Sequence, residues 1–250
     1  MIVLKTEREL KLMREAGRIS AGALKLVGEA VEPGISTAEL DRIAERYIRS
    51  QGAKPNFKGY NGFPATACIS INDQVIHGIP SQKQVIRAGD IVSVDLGAVF
   101  EGYHGDNAAT FAAGEISPEA QRLMDATKES LYEGIRKARA GGRIGDISSA
   151  VQQYVEARGY SVVRQYVGHG VGASLHEAPE VPNFGTPGRG VRLLPGMTLA
   201  IEPMVNIGTE RVKVMPDGWT VLTADGALSA HFEHTIVITA EGPQILTMPE

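Results

Sequence analysis

Four carboxylates and one histidine lie in or beside apolar, strand-like stretches. Asp95 and Asp106 belong to IVSVDLGAVFEGYHGD (91–106), His169 to YVGHGVGASLHEAPEVPNFG (166–185), Glu202 to MTLAIEPMVN (197–206) and Glu233 to HFEHTIVIT (231–239). A carboxylate in an apolar strand is costly unless a cation meets it. Four of them clustered without metal would repel, and their pKa values would rise. Around two divalent cations the same four are satisfied, because carboxylates can bridge ions a few ångström apart. Oxygen-rich ligation with one imidazole suits Mn, Co, Fe or Zn better than a structural zinc site. The plainer alternative is scattered structural acids, with Asp106 in a turn and Asp95 at a strand end facing water.

Other chemistries fit less well. His176 is followed by Glu177-Ala178-Pro179, which breaks any HExxH helix, so His169 and His176 are not a helical zinc pair. One could be a ligand and the other a substrate contact. The GASLH segment lacks the second glycine of a nucleophile elbow, and no GxxxxGK[ST] phosphate loop is present. Cys68 with His77 suggests a thiol pair, but a lone cysteine in an apolar run is more often a small buried hydrophobe. His77, between Ile76 and Gly78, is by itself an ordinary loop histidine.

These residues need elements to position them. In 91–106, Val92, Val94 and Leu96 alternate with Ser93 and Asp95, and Gly97 and Gly102 loosen the backbone near a reversal. Two paired antiparallel strands would bring Asp95 and Asp106 to one spot. Met197–Asn206 and His231–Thr239 read as two more strands that should be neighbours, each with a glutamate. Helical spacing predicts a helix from Glu7 to Val31, ended by Pro33-Gly34. A second follows from Ser36, with a capping-box signature at Glu39, to Gln51. Ser117-Pro118-Glu119 opens a third that ends near Gly141-Gly142, and a fourth runs from about Asp146 to Arg158. Arg211–Leu222 reads as a hairpin turning at Asp217-Gly218. The stretch 54–80 mixes aromatics with Gly and Pro, either as a core edge or as a pocket wall. Helices followed by strands with an acidic pair occur once per half, a coarse duplication.

Composition sets outer limits. With 250 residues, 43% hydrophobic and 22% charged, the chain fits a globular protein of one domain or two. A net charge of -4 gives no global drive toward nucleic acid or an anionic membrane. One cysteine excludes an intrachain disulfide and a Cys-rich zinc module. The charged start (Lys5, Glu7, Arg8, Glu9) does not resemble a signal peptide, and no apolar run is long enough to span a bilayer, so the expected location is cytoplasmic.

The segments VDLGAVFEGYHGD, YVGHGVGASLHEAP, LAIEPM and FEHT, in this order, resemble those of the type I methionine aminopeptidases over essentially the whole chain. The resemblance implies one α+β catalytic domain over residues 1–250 with no amino-terminal extension. Its fold would be the pita-bread (creatinase/aminopeptidase-like) fold, with two pseudo-symmetric halves around a central antiparallel sheet. It implies that Asp95, Asp106, His169, Glu202 and Glu233 hold two divalent metals (Co, Mn, Fe or Zn). Asp106 and Glu233 would bridge the ions, Asp95 would bind one, and His169 with Glu202 the other. His77 and His176 match substrate-contacting histidines, and Glu202 is the expected proton shuttle. Tyr60, Phe63, Cys68 and Trp219 match a methionine pocket. Phe57 and Leu175 stand there in place of the Cys and Phe of some relatives. Asn72 and Ser229 match a monovalent-cation site. Asn107 replaces a common Thr beside Asp106. The implied activity is removal of the initiator methionine from nascent chains when the second residue is small. Transient ribosome contact is expected, with no nucleic-acid readout, no membrane and a monomeric state. The rivals are an X-Pro peptidase, which usually carries a large amino-terminal domain, and a non-enzymatic binding protein on the same fold, which typically loses ligands.

Overall fold

The computed structural model describes residues 2–249. Helices α1 (Glu7–Glu29) and α2 (Thr37–Ser50) precede strands β1 (Lys54–Pro55), β2 (Ala67–Ile71), β3 (Gln74–Ile76), β4 (Ile91–Phe100) and β5 (Tyr103–Ala112). Helices α3 (Pro118–Lys137) and α4 (Ile144–Glu156) then precede β6 (Ser161–Val162), β7 (Gly168–Gly170), β8 (Glu177–Val181), β9 (Thr198–Ile201) and β10 (Met204–Asn206). The chain closes with β11 (Val212–Val214), β12 (Val221–Thr223), β13 (Ser229–His231), β14 (Glu233–Ile238) and β15 (Pro243–Ile245). The expected α+β order, two helices then strands in each half, is therefore present. The central sheet runs β1-β4-β5-β14-β9-β7-β8, with β2 added to β4 and β15 to β14. Its pairings are antiparallel.

The helices begin where local chemistry dictates. Thr6 and Glu9 form a reciprocal capping box on α1, whereas Ser36 caps α2 through the Glu39 N–H alone. The capping box expected at Ser36 is thus one-sided, because Glu39 pairs with Arg42 instead. Helix α1 stops at Glu29, two residues before the expected Val31. Ser117 caps α3, with Pro118 at its first turn.

Each helix pair covers one half of the sheet. Leu40, Ala44 and Ile48 of α2 and Ile19, Ala23 and Val27 of α1 pack with Val92, Val94, Leu96 and Ala98 of β4. Leu123, Leu131, Ile147 and Val151 of α3 and α4 pack with Leu199, Ile201, Ile236 and Ile238. Because side chains alternate along a strand, covering Val94 and Leu96 with helices turns Asp95 to the opposite face.

Two long strands were expected at Met197–Asn206 and His231–Thr239; each is instead broken. Pro203 has no N–H for the ladder and ends β9. The chain bends there, and β10 joins β13 and β6 in a separate three-stranded sheet. Phe232 interrupts the partner strand at the same level, its N–H reaching Pro203 O at 3.4 Å. Glu202 and Glu233 flank this shared bend, with Glu233 as the first residue of β14 rather than a mid-strand residue. The glycine- and proline-rich stretch 166–185 contains two strands, β7 and β8. Among the described residues no helix is long and apolar enough to cross a membrane.

Helix α1 lies on β5 at backbone distance. A Cβ on Gly105 would sit 2.5 Å from the Gly17 nitrogen, and one on Gly17 would sit 2.2 Å from Leu246 O. Backbone cannot yield as a flexible side chain can. Gly105→Ala is therefore expected to destabilise the fold by ~1–3 kcal/mol or more, read as a lower urea midpoint at unchanged slope. An unchanged midpoint would contradict this packing.

Candidate metal centre and substrate pocket

The β4–β5 hairpin turns at Glu101-Gly102, both at positive φ (46° and 85°). Its register pairs Asp95 with Ala108 and Gly97 with Asp106. Residues 106 and 108 share a face, so both aspartates project from the side of the sheet away from the helices. A second register brings in the other half: Glu233 of β14 pairs with Ala108 of β5. Thr235 locks that junction, because the Asp106 N–H donates to its Oγ1 at 3.1 Å and its hydroxyl donates to Asp106 O at 2.8 Å. His169, on β7, is paired with Ala200 of β9, which leads to Glu202.

The thirteen residues expected to hold metal, act on substrate or form the methionine pocket line one cavity of about 190 Å³, and Asn72 and Ser229 lie outside it. Asp95, Asp106, His169, Glu202 and Glu233 meet at one end. Ligand atoms of Asp106, His169 and Glu233 lie within 4.8 Å of one another. His169 Nε2 is 3.4 Å from a Glu202 oxygen and 3.9 Å from an Asp106 oxygen. Phe57, Phe63, Cys68 and Leu175 form a small apolar cluster of their own, with Trp219 against it. The Phe63 and Trp219 rings meet edge-on at 5.1 Å. Asp217 Oδ1 accepts the N–H groups of Trp219 and Thr220, so the expected Asp217-Gly218 turn holds the indole in place. The 54–80 aromatics thus include a pocket wall as well as a core edge.

The two remaining histidines stand at the mouth. His77 is held at φ 59°, a sparsely populated conformation for a residue with a Cβ. Gly78 fixes it: its N–H reaches Ser70 Oγ at 3.1 Å, and a Cβ there would lie 2.2 Å from Ile69 O. The His176 ring is 4.1 Å from that of His169, and its Nδ1 meets the Tyr60 hydroxyl at 2.8 Å. Asn72 and Ser229 also meet, the Ser229 N–H donating to Asn72 O at 2.9 Å, while the Asn72 amide binds Asp90 and Ile91. Asn107 projects to the other face of the sheet, into a groove between α1 and α3. Only its backbone N–H acts on Asp106.

The electrostatics are those of a site built for cations. Burial, and then the neighbouring acids, push Asp95, Glu202 and Glu233 well above the usual carboxylate range. Burial pushes Asp106 up to about 7, against the lowering effect of the Asn107 N–H. Asp95 Oδ1, Asp106 Oδ1 and Glu233 Oε1 are buried without a hydrogen-bond partner. His169 Nδ1 donates to Gly170 O at 2.9 Å, which leaves the Nε2 lone pair facing the acids. Burial lowers His169 to about 3 and His77 to about 4, and lowers His176 as well, so all three imidazoles are neutral at pH 7. Unpaired carboxylate oxygens around a neutral imidazole nitrogen fit divalent metal ions.

Three further residues belong to this environment and escaped sequence reasoning. Asn61 lines the cavity from the Tyr60–Gly62 turn, at φ 49°. His231 is fully buried, with Nε2 4.0 Å from Glu202. Tyr166 packs edge-on against His77 at 5.6 Å. Tyr166 and His231 sit in the segments already singled out for His169 and Glu233, which was the available signal.

Residues 11–240 match the model of metallopeptidase family M24. A methionine aminopeptidase of Clostridium perfringens is 58% identical over 248 residues, covering 99% of each chain. The crystal structure of a methionine aminopeptidase from Thermotoga maritima superposes with a TM-score of 0.98 at 47% identity, covering 99% of this chain and 100% of that one. An Xaa-Pro dipeptidase from Bacillus anthracis gives a TM-score of 0.79 at 26% identity, and this chain spans 62% of its length.

The raised carboxyl pKa values imply a pH dependence. Each group binds its proton more tightly folded than unfolded. The resulting stability is complete below the unfolded pKa, near 3.8 for Asp106, and is lost as pH rises through the folded value of about 7. Chelator-treated protein should lose about 1.4 kcal/mol per pH unit for each carboxyl that remains protonated. Saturating Mn²⁺ should raise the melting temperature most at the upper end of that window. A flat profile for the chelated protein would contradict this reading.

Proposed function

The chain belongs to metallopeptidase family M24 and, within it, to the methionine aminopeptidases; on that premise we propose that it removes the initiator methionine from nascent proteins whose second residue is small. The observation that carries the proposal is the single cavity with acids at one end and a closed apolar wall at the other. Tyr60, Phe63, Cys68 and Trp219, with Phe57 and Leu175, take the methionine side chain, whose unbranched stem and polarizable sulfur pack well against aromatic edges.

Asp95, Asp106, His169, Glu202 and Glu233 would hold two divalent ions of the Co, Mn, Fe or Zn type. Such ions supply Lewis acidity, which makes water nucleophilic at neutral pH and polarises the scissile carbonyl. Glu202 moves the proton from water to the leaving amine. Neutral His77 and His176 donate hydrogen bonds to the scissile amide and the developing oxyanion. The apolar wall excludes water from the methionine side, and the imidazoles crowd the far side, where a second side chain must pass. Asn72 and Ser229, joined backbone to backbone, would hold a monovalent cation. The protein acts as a single catalytic domain and a cytoplasmic monomer that meets its substrates at the ribosome.

An X-Pro peptidase shares the fold but needs room for proline after the scissile bond. A panel of Met-Ala, Met-Lys, Leu-Ala and Ala-Pro substrates separates the two by kcat/KM. Met-Ala should lead, with Leu-Ala lower by roughly 10–200-fold. Preference for Ala-Pro, or equal rates on Met-Ala and Met-Lys, would overturn the proposal.

Three variants separate the roles. Asp106→Asn should lose metal and turnover together. His77→Ala and His176→Ala should keep their metal content but slow by ~10²–10⁴. Metal loss on changing either histidine would make that residue a ligand instead of a substrate contact.

A further inference from the structure

Lys5 is a buried cation outside the cavity that holds the acid cluster. Its side chain is 3% exposed, and its Nζ donates to Glu177 Oε2 at 2.6 Å and to Val3 O at 3.2 Å. The partner is the residue directly after His176. We infer that the Lys5–Glu177 ion pair positions His176, so that the amino-terminal segment sets the aim of an imidazole at the site mouth. The inference rests on the reading of His176 as a substrate contact.

The loop 172–177 is closed around Glu177. The second Glu177 oxygen accepts the Ser174 N–H at 3.1 Å. The Gly172 N–H donates to Ser174 O at 3.0 Å, and Gly172 O accepts the His104 N–H from the β4–β5 hairpin at 2.9 Å. Gly172 has φ in the ordinary range, so its lack of a side chain serves space: a Cβ there would lie 2.4 Å from both Glu177 Oε1 and Lys5 Cε. Within this loop Leu175 forms part of the pocket wall and His176 faces His169.

Lys5 in turn is referenced to the strands that carry the acids. Its N–H donates to Gly196 O at 2.8 Å, and the Gly196 N–H donates to Ile238 O at 2.9 Å, at the end of β14. One chain of contacts therefore runs from β14, which begins with Glu233, through Gly196 and Lys5 to Glu177 and His176. A buried ion pair is a poor source of stability compared with an apolar pair of the same volume, but it accepts few alternative geometries. Among the described residues only the Tyr60 hydroxyl is hydrogen-bonded to the His176 ring. Removing the lysine leaves the partly buried Glu177 carboxylate without its cation, and the loop must move to hydrate it.

The test is a double-mutant cycle on Met-Ala hydrolysis with Lys5→Met, Glu177→Gln and His176→Ala. Each of the first two should lower kcat by about tenfold or more, because small misplacements of a catalytic group are costly. KM and metal affinity, measured by competition with a chromophoric chelator, should stay close to wild type. On the His176→Ala background the same changes should cost less than about twofold, since the group they position is gone. Imidazole nitrogen resonances of the metal-free protein give a readout independent of activity: the His176 signals should shift in Lys5→Met and those of His231 should not. Glu177→Gln keeps the shape and the Ser174 contact, so it carries the test if Lys5→Met does not fold. Equal losses with and without His176, or unmoved His176 resonances, would overturn the inference. A wild-type protein that does not cleave Met-Ala would instead sink the functional reading, with the resonances still deciding the positioning.

Discussion

Buried negative charge is the constraint on which the rest of the structure depends. Asp95, Asp106, Glu202 and Glu233 occupy one cavity, and among the described residues no lysine or arginine lines it. Without cations the cluster must take up protons, as the raised pKa values reflect. With divalent ions the same oxygens become ligands. Much of the fold serves this concentration of charge. Helices cover one face of the central sheet and turn the acids to the other, and Thr235 ties the two halves at the level of Asp106. The bend at Pro203 and Phe232 places Glu202 just beyond β9 and Glu233 at the start of β14, both lining the cavity.

The same geometry divides labour. Neutral imidazoles border the charge without adding to it, because burial has lowered their pKa values. The aromatic wall comes from segments far apart in sequence, around 57–68, 175 and 219. Membership of family M24 names the chemistry such a cluster performs. The apolar wall explains why a long, unbranched side chain is its fitting occupant.

How much of this was readable in the sequence depends on how local the cause was. The Asp95–Asp106 ribbon was readable because alternation and a Gly-containing turn determine register within sixteen residues. The helix starts at Thr37 and Pro118 and the Asp217-Gly218 turn were readable for the same reason. The proposed ligand set came from resemblance, and the structure gathers all five residues, with His77, His176 and the pocket residues, into one cavity. The bend splitting 197–206 and 231–239 was not readable, since it needs Pro203 and Phe232 to face one another across two strands. His231 was hidden because its nearness to Glu202 arises only after that bend. The Lys5–Glu177 pair joins residues 172 positions apart, and no local pattern announces it.

The central claim is that the buried carboxyls exchange protons for divalent cations. Titration calorimetry of Mn²⁺ into chelator-treated protein at pH 6.5, repeated in buffers of different ionisation enthalpy, measures that exchange directly. Release of more than one proton per protein on saturation, falling as pH is raised above 7, is the result the account predicts. Saturable binding with no proton release at pH 6.5 would mean that the acids were already ionised, and would contradict it.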